Sequence, residues 1–209
     1  MAEASERTKF LKIAFRWMAF VLILSFIAVI VFGPRGPTYV PHHPLLLKVE
    51  NIESMMFKYA NDHNGAYPTG HSSTEVFQKL IDEKYCADST VFWAEGLNVP
   101  GKSKPITNKL EPENVCWDIT VPLDANALGF LPVVFSTGYR INYVPGGNAV
   151  PLFMAPNTDI VGIWVAFHGG EKGLKRAAPD GTVTNLISSN FNPAGEKYQQ
   201  LTPDGPLSP

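Results

Sequence analysis

Residues 45–62 read LLLKVENIESMMFKYAND, and how this stretch folds decides the architecture of everything after it. Apolar residues recur at 45, 46, 49, 52, 55, 56 and 59, while Lys48, Glu50, Asn51, Glu53 and Lys58 lie mostly elsewhere. That is the i, i+3, i+4, i+7 spacing of an amphipathic helix with one buried face. Met55 and Met56 belong to that stripe, so they read as core rather than as an adaptable docking surface. Gly65 supplies a left-handed stop, and Pro68 prevents the helix from resuming.

Upstream, residues 33–44, GPRGPTYVPHHP, hold four prolines and two glycines and form a stiff, non-helical spacer. Before it stands IAFRWMAFVLILSFIAVIVF, residues 13–32, whose single charge is Arg16. About 20 helical residues cross the roughly 30 Å hydrocarbon layer of a bilayer, so this reads as one transmembrane helix whose partner is membrane lipid. A cleaved signal fits less well, because the apolar run is long and ends without a small-x-small site. Arg7, Lys9, Lys12 and Arg16 precede or open the run, against Arg35 and Lys48 after it. The positive-inside bias therefore keeps residues 1–12 in the cytoplasm and exports residues 33–209.

Downstream, Ser72-Ser73-Thr74-Glu75 fits a capping box opening a second, shorter helix to about Lys84. Val91-Phe92-Trp93 reads as a short strand or packed loop, and residues 94–113 as an irregular excursion. Strand formers then dominate. Leu131–Ser136 and Tyr139–Val144 flank Thr137-Gly138 as a hairpin would; Ile160–Phe167 is a long β-prone run; Leu174–Ala177 and Thr182–Ile187 flank the turn Pro179-Asp180-Gly181. Helices first and about four antiparallel strands later make an α+β domain over residues 45–189, its long helix packed across one face of the sheet. Residues 190–209, with four prolines, are expected to lie as a loose surface tail.

A net charge of −2 and a pI near 6.2 give no electrostatic case for nucleic acid. The two cysteines, Cys86 and Cys116, both fall on the exported side, where a disulfide closing a loop of about 30 residues is expected. The alternative is two separate buried thiols. No Gly-x-Ser-x-Gly elbow, Walker loop, His-Glu-x-x-His or Cys-x-x-Cys occurs, and no catalytic, cofactor-binding or metal residue is expected. His42, His43, His63 and His71 lack metal-ligand spacing. His168-Gly169-Gly170 reads as the turn that leaves a strand, and Asp118, Asp124, Asp159 and Asp180 as loop aspartates suited to Asx turns.

A membrane helix followed by an amphipathic helix that closes on Tyr59, Asp62, Asn64, Gly65, Tyr67, Pro68 and Thr69, then a short helix and a small sheet, resembles the type IV pilins and the pseudopilins of type II secretion. His168-Gly169-Gly170 and Asp180-Gly181-Thr182-Val183 are similar to the closing portion of large bacterial pilin-like proteins. The resemblance implies a pilin-like fold and a non-catalytic subunit or accessory of a secretion or pilus-type assembly, partnered by other envelope proteins. It also implies a single-pass location in the bacterial inner membrane with a periplasmic or extracellular domain. Pilins carry a glutamate in the apolar run, whereas no acidic residue occurs here from Arg7 to Lys48. With the helix-breaking spacer, this leads to the expectation of a permanently anchored monomer or small oligomer. An anchored ligand- or glycan-binding module is the alternative, with Trp93, Trp117 and Trp164 as stacking surfaces. An exported hydrolase comes third.

Overall fold

The computed structural model describes residues 43–97, 99–123, 129–153, 162–193 and 195–207. The expected cytoplasmic segment, transmembrane helix and nearly all of the spacer lie outside the described residues. Among the described residues no helix is long and apolar enough to cross a membrane.

The first helix, α1, spans Pro44–Asp62. Pro44 sits in its first turn, where a missing N–H costs nothing, and the Nδ1 of the N-cap His43 accepts from the Leu45 N–H. Leu45, Val49, Ile52, Met56, Tyr59 and Ala60 are buried, and Leu46 and Met55 pack beside them. At about 1.5–3 kcal/mol per large apolar side chain, this stripe and not intrinsic propensity holds the helix down. The chain leaves through His63 and Asn64, and Gly65, at φ 88°, donates back to the Ala60 carbonyl at 2.8 Å. The second helix, α2, spans Ser73–Asp82, its N-cap Ser72 accepting from the Glu75 N–H. The Glu75 carboxylate reaches one residue beyond the cap and takes the His71 N–H. Two 3₁₀ turns follow, Ser89–Phe92 and Pro112–Asn114. The first forms where a short strand or packed loop was expected at Val91–Trp93: no strand forms there, and Phe92 is packed into the core.

The strands are β1 (Trp117–Val121), β2 (Pro132–Ser136), β3 (Tyr139–Ile141), β4 (Ala149–Pro151), β5 (Gly162–Phe167), β6 (Lys172–Arg176), β7 (Gln199–Thr202) and β8 (Gly205–Pro206). Six form one antiparallel sheet in the order β6-β5-β2-β1-β7-β8, and β3 pairs with β4 in a separate ribbon. The fold is thus α+β with a small antiparallel sheet, as expected, but several elements differ from the sequence reading. β2 and β3 are not a hairpin. The Thr137 N–H continues the ladder onto the Cys116 carbonyl, and Gly138, at φ 100°, then turns the chain out of the sheet. The main sheet has six strands rather than four. Residues 182–187 form no strand, and Val183 makes only a bridge to Ala149. The tail is the largest correction: β7 pairs with β1, and β8 closes that edge.

Alternation along the strands gives the sheet two covered faces. Trp117 and Ile119 on β1, Ala166 on β5 and Leu201 on β7 point into a core with α1 and α2. Phe135, Ile163, Val165 and Phe167 join Tyr139, Ile141, Ala149, Val183, Leu186, Ile187 and Phe191 in a second core. α1 crosses β2, β5 and β6, while α2 lies on β1 and β7.

Candidate functional site

At the far end of α1, the stretch that carries the resemblance is built as an aromatic cluster. His63 stacks on Tyr59 with ring centroids 3.9 Å apart and a 3° tilt, and its Nδ1 lies 2.8 Å from the Tyr59 carbonyl. Its Nε2 stands 3.4 Å from Glu83 Oε2, just past the end of α2. The Tyr85 hydroxyl donates to Asp62 Oδ2 at 2.9 Å. Partial desolvation, reinforced by that carboxylate, pushes the Tyr85 phenol up to about 12. Tyr67 and Pro68 are buried below. These contacts tie the two helix ends together.

The other expected residues are dispersed. Trp117 is fully buried, Trp164 is half-buried beneath His43 with rings stacked at 4.6 Å, and Trp93 lies half-buried near Lys104. No groove lined by neighbouring tryptophans results among the described residues. His168 opens the β5–β6 turn: its N–H donates to the Leu131 carbonyl, and Gly170 donates to the Phe167 carbonyl. Asp180 accepts from the Thr182 N–H at 2.9 Å, the Asx turn expected of it. Asp124, Asp159 and His42 lie outside the described residues, and no cluster of metal-ligating side chains forms among those described.

The disulfide expected between Cys86 and Cys116 is not formed in this structure: both are free, buried thiols. Cys86 Sγ donates to the Asp88 carbonyl at 3.2 Å, and Cys116 is held through its N–H on the Phe92 carbonyl at 2.9 Å. Each is thus fixed by its own backbone partner and packs in the helix-side core as a small hydrophobe. Burial pushes both thiols up from their ordinary range.

Asp118 is not a loop carboxylate. It points from β1 into the second face of the sheet, where it has no exposure. Its Oδ2 accepts from Gln200 Nε2 at 2.6 Å, and the same nitrogen donates to the Tyr139 carbonyl at 2.6 Å. Gln200 Oε1 accepts from the Ile141 N–H at 3.1 Å. A single side-chain amide therefore does for β3 what a neighbouring strand would do. Beside it, Thr120 Oγ1 and the Tyr143 hydroxyl are 2.8 Å apart. Burial raises the Asp118 carboxyl to about 7, against the opposing pull of hydrogen bonds from Thr137 and Gln200. Sequence reasoning missed this group, since Gln200 sits in a segment that reads as a tail.

A cleft of about 330 Å³ opens between the Tyr67–Gly70 segment and the junction of β1 with β7. Met56 and Ile119 form its buried floor, Pro68 one wall, and the exposed Thr69, Lys197 and Gln199 its rim. Comparison of the chain with protein-family models, characterised proteins and solved structures gives no match.

Proposed function

We propose that the chain is a non-catalytic, membrane-anchored subunit or accessory of a pilin- or pseudopilin-like secretion or pilus-type assembly. Residues 13–32 serve as a single-pass anchor in a bacterial inner membrane, with the N-terminus cytoplasmic and the described domain in the periplasm or outside the cell. The domain works through contacts with other envelope proteins. The observation that carries this reading is α1: a helix placed directly after the apolar run and spacer lies across β2, β5 and β6, and closes on the Tyr59–Tyr67-Pro68 turn. The burial of Trp117 and the cover that His43 gives Trp164 favour a scaffold over a stacking platform.

Purification of the full chain from native membranes in mild detergent tests it. Reproducible recovery of envelope-assembly subunits in fixed ratio supports the proposal. Recovery of the chain alone, together with turnover of a substrate or saturable binding of a glycan, overturns it.

A further inference from the structure

The cleft beside Tyr67–Gly70 has a burial gradient that sorts its lining by chemistry. Met56, Ile119 and Tyr67 are buried, and Val121, Pro122 and Leu123 extend the apolar surface toward one end. Of the polar side chains Thr120 is buried, while Thr69, Lys197 and Gln199 are exposed and stand at the mouth together with Pro122. None of the described lining residues is acidic, and Lys197 is their one charge. Among the described residues, Lys197 has no ion-pair partner, unlike Lys109, Lys172 and Lys175, each of which has a carboxylate. A ligand pocket couples an apolar body with a few convergent polar groups, and about 330 Å³ lies at the small end of that class.

The geometry points to a binding site for a small organic carboxylate with an apolar body of about one ring or one branched chain. The body lies on Met56, Ile119 and Val121. The carboxylate meets the Lys197 ammonium and takes hydrogen bonds from the Thr69 hydroxyl and the Gln199 amide. All three rim groups can donate, and the only formal charge is positive, so an apolar amine is repelled and an alcohol forgoes the ion pair. A free acid and the C-terminal residue of a peptide present the same chemistry. The site goes beyond the proposed function and stands without it, because every residue used lies in the described domain.

Methyl NMR of the full chain in lipid nanodiscs, observing Met56, Ile119 and Val121, tests this by titration with 3-phenylpropionate, 3-phenylpropan-1-ol and phenethylamine. The acid is expected to give saturable shifts at these methyls, with the alcohol at least ~threefold weaker and the amine weaker still, the range of an exposed ion pair. Lys197→Met, at an exposed position, is expected to erase the preference for acid over alcohol. A tripeptide ending in phenylalanine, with free or amidated terminus, separates the two sources. Tighter binding of the free-terminus peptide than of 3-phenylpropionate assigns a chain end, and weaker binding assigns a free acid. Absence of saturable shifts at the three methyls, equal titration by acid and alcohol, or a preference that survives Lys197→Met overturns the proposal.

Discussion

Gln200 Nε2 lies 2.6 Å from Asp118 Oδ2, with both side chains buried between the main sheet and the β3–β4 ribbon. β1 and β7 are neighbours in the sheet, so a residue near the end of the chain and one from its middle share one polar island. The island is costly, because a carboxyl without exposure keeps its charged form out of water. It is retained where β3 needs a partner, and the Gln200 amide fills both of its own donor sites there, on Asp118 and on the Tyr139 carbonyl.

The Asp118 carboxyl makes stability depend on pH in a defined direction. Below about pH 4 it is protonated in the folded and unfolded states, and its contribution is fully present. As pH rises toward about 7, the unfolded state ionises while the folded one holds its proton, so stability falls by on the order of 4 kcal/mol and then levels off. Asp118→Asn keeps an acceptor for Gln200 and removes this fall. Urea unfolding of both proteins from pH 4 to pH 8 is expected to give curves that diverge with rising pH in favour of the variant. Parallel curves would show that Asp118 ionises freely in the fold.

Gln200→Leu removes the donor to Asp118 and both side-chain hydrogen bonds to β3, leaving the Ile141 N–H and the Tyr139 carbonyl buried and unpaired. At about 1–3 kcal/mol per stranded group, a loss of roughly 3 kcal/mol is expected in chemical denaturation. Amide exchange should rise first at Ile141 and its β4 partner Ala149. A change under about 0.5 kcal/mol would show that β3 is held by apolar packing alone.

Among the described residues the buried Tyr139 hydroxyl has no hydrogen-bond partner. Removing it takes away an unmet demand and leaves the ring in the second core, so Tyr139→Phe is expected to be neutral or stabilising by about 1 kcal/mol. Thermal unfolding measures this. A loss above about 1 kcal/mol would assign the hydroxyl a bonded role.

The thiols of Cys86 and Cys116 are expected to resist alkylation in the folded protein at mildly alkaline pH, since burial disfavours both thiolates. In denaturant without reductant, mass spectrometry should show two alkylated cysteines. Protein that takes up no label until reduced would restore the bridge expected from the sequence.

α1 was legible because its apolar residues keep one helical period across five turns and its ends carry Pro44 and Gly65. β7 was not, because Gln199-Gln200-Leu201-Thr202 is short and polar and sits between prolines; Gln200 is buried for its amide, which hydropathy scores as surface. Thr137-Gly138 misled for a different reason. A glycine with positive φ serves a hairpin turn and an exit from the sheet equally well, and only the pairing of Tyr139 with Pro151 distinguishes them. The Tyr67–Gly70 wall of the cleft was visible as a local pattern, whereas its rim at Lys197 and Gln199 arrives through the pairing of β7 with β1.

We propose an exported domain on a permanent anchor. Protease added to the outside of spheroplasts that express the full chain tests it most directly, with fragments mapped by mass spectrometry. The domain from about residue 33 onward is expected to be digested, while a membrane-retained fragment containing residues 13–32 survives alkaline washing. A domain fully protected until the membrane is lysed, or recovery of the whole chain in the alkaline wash, would contradict the account.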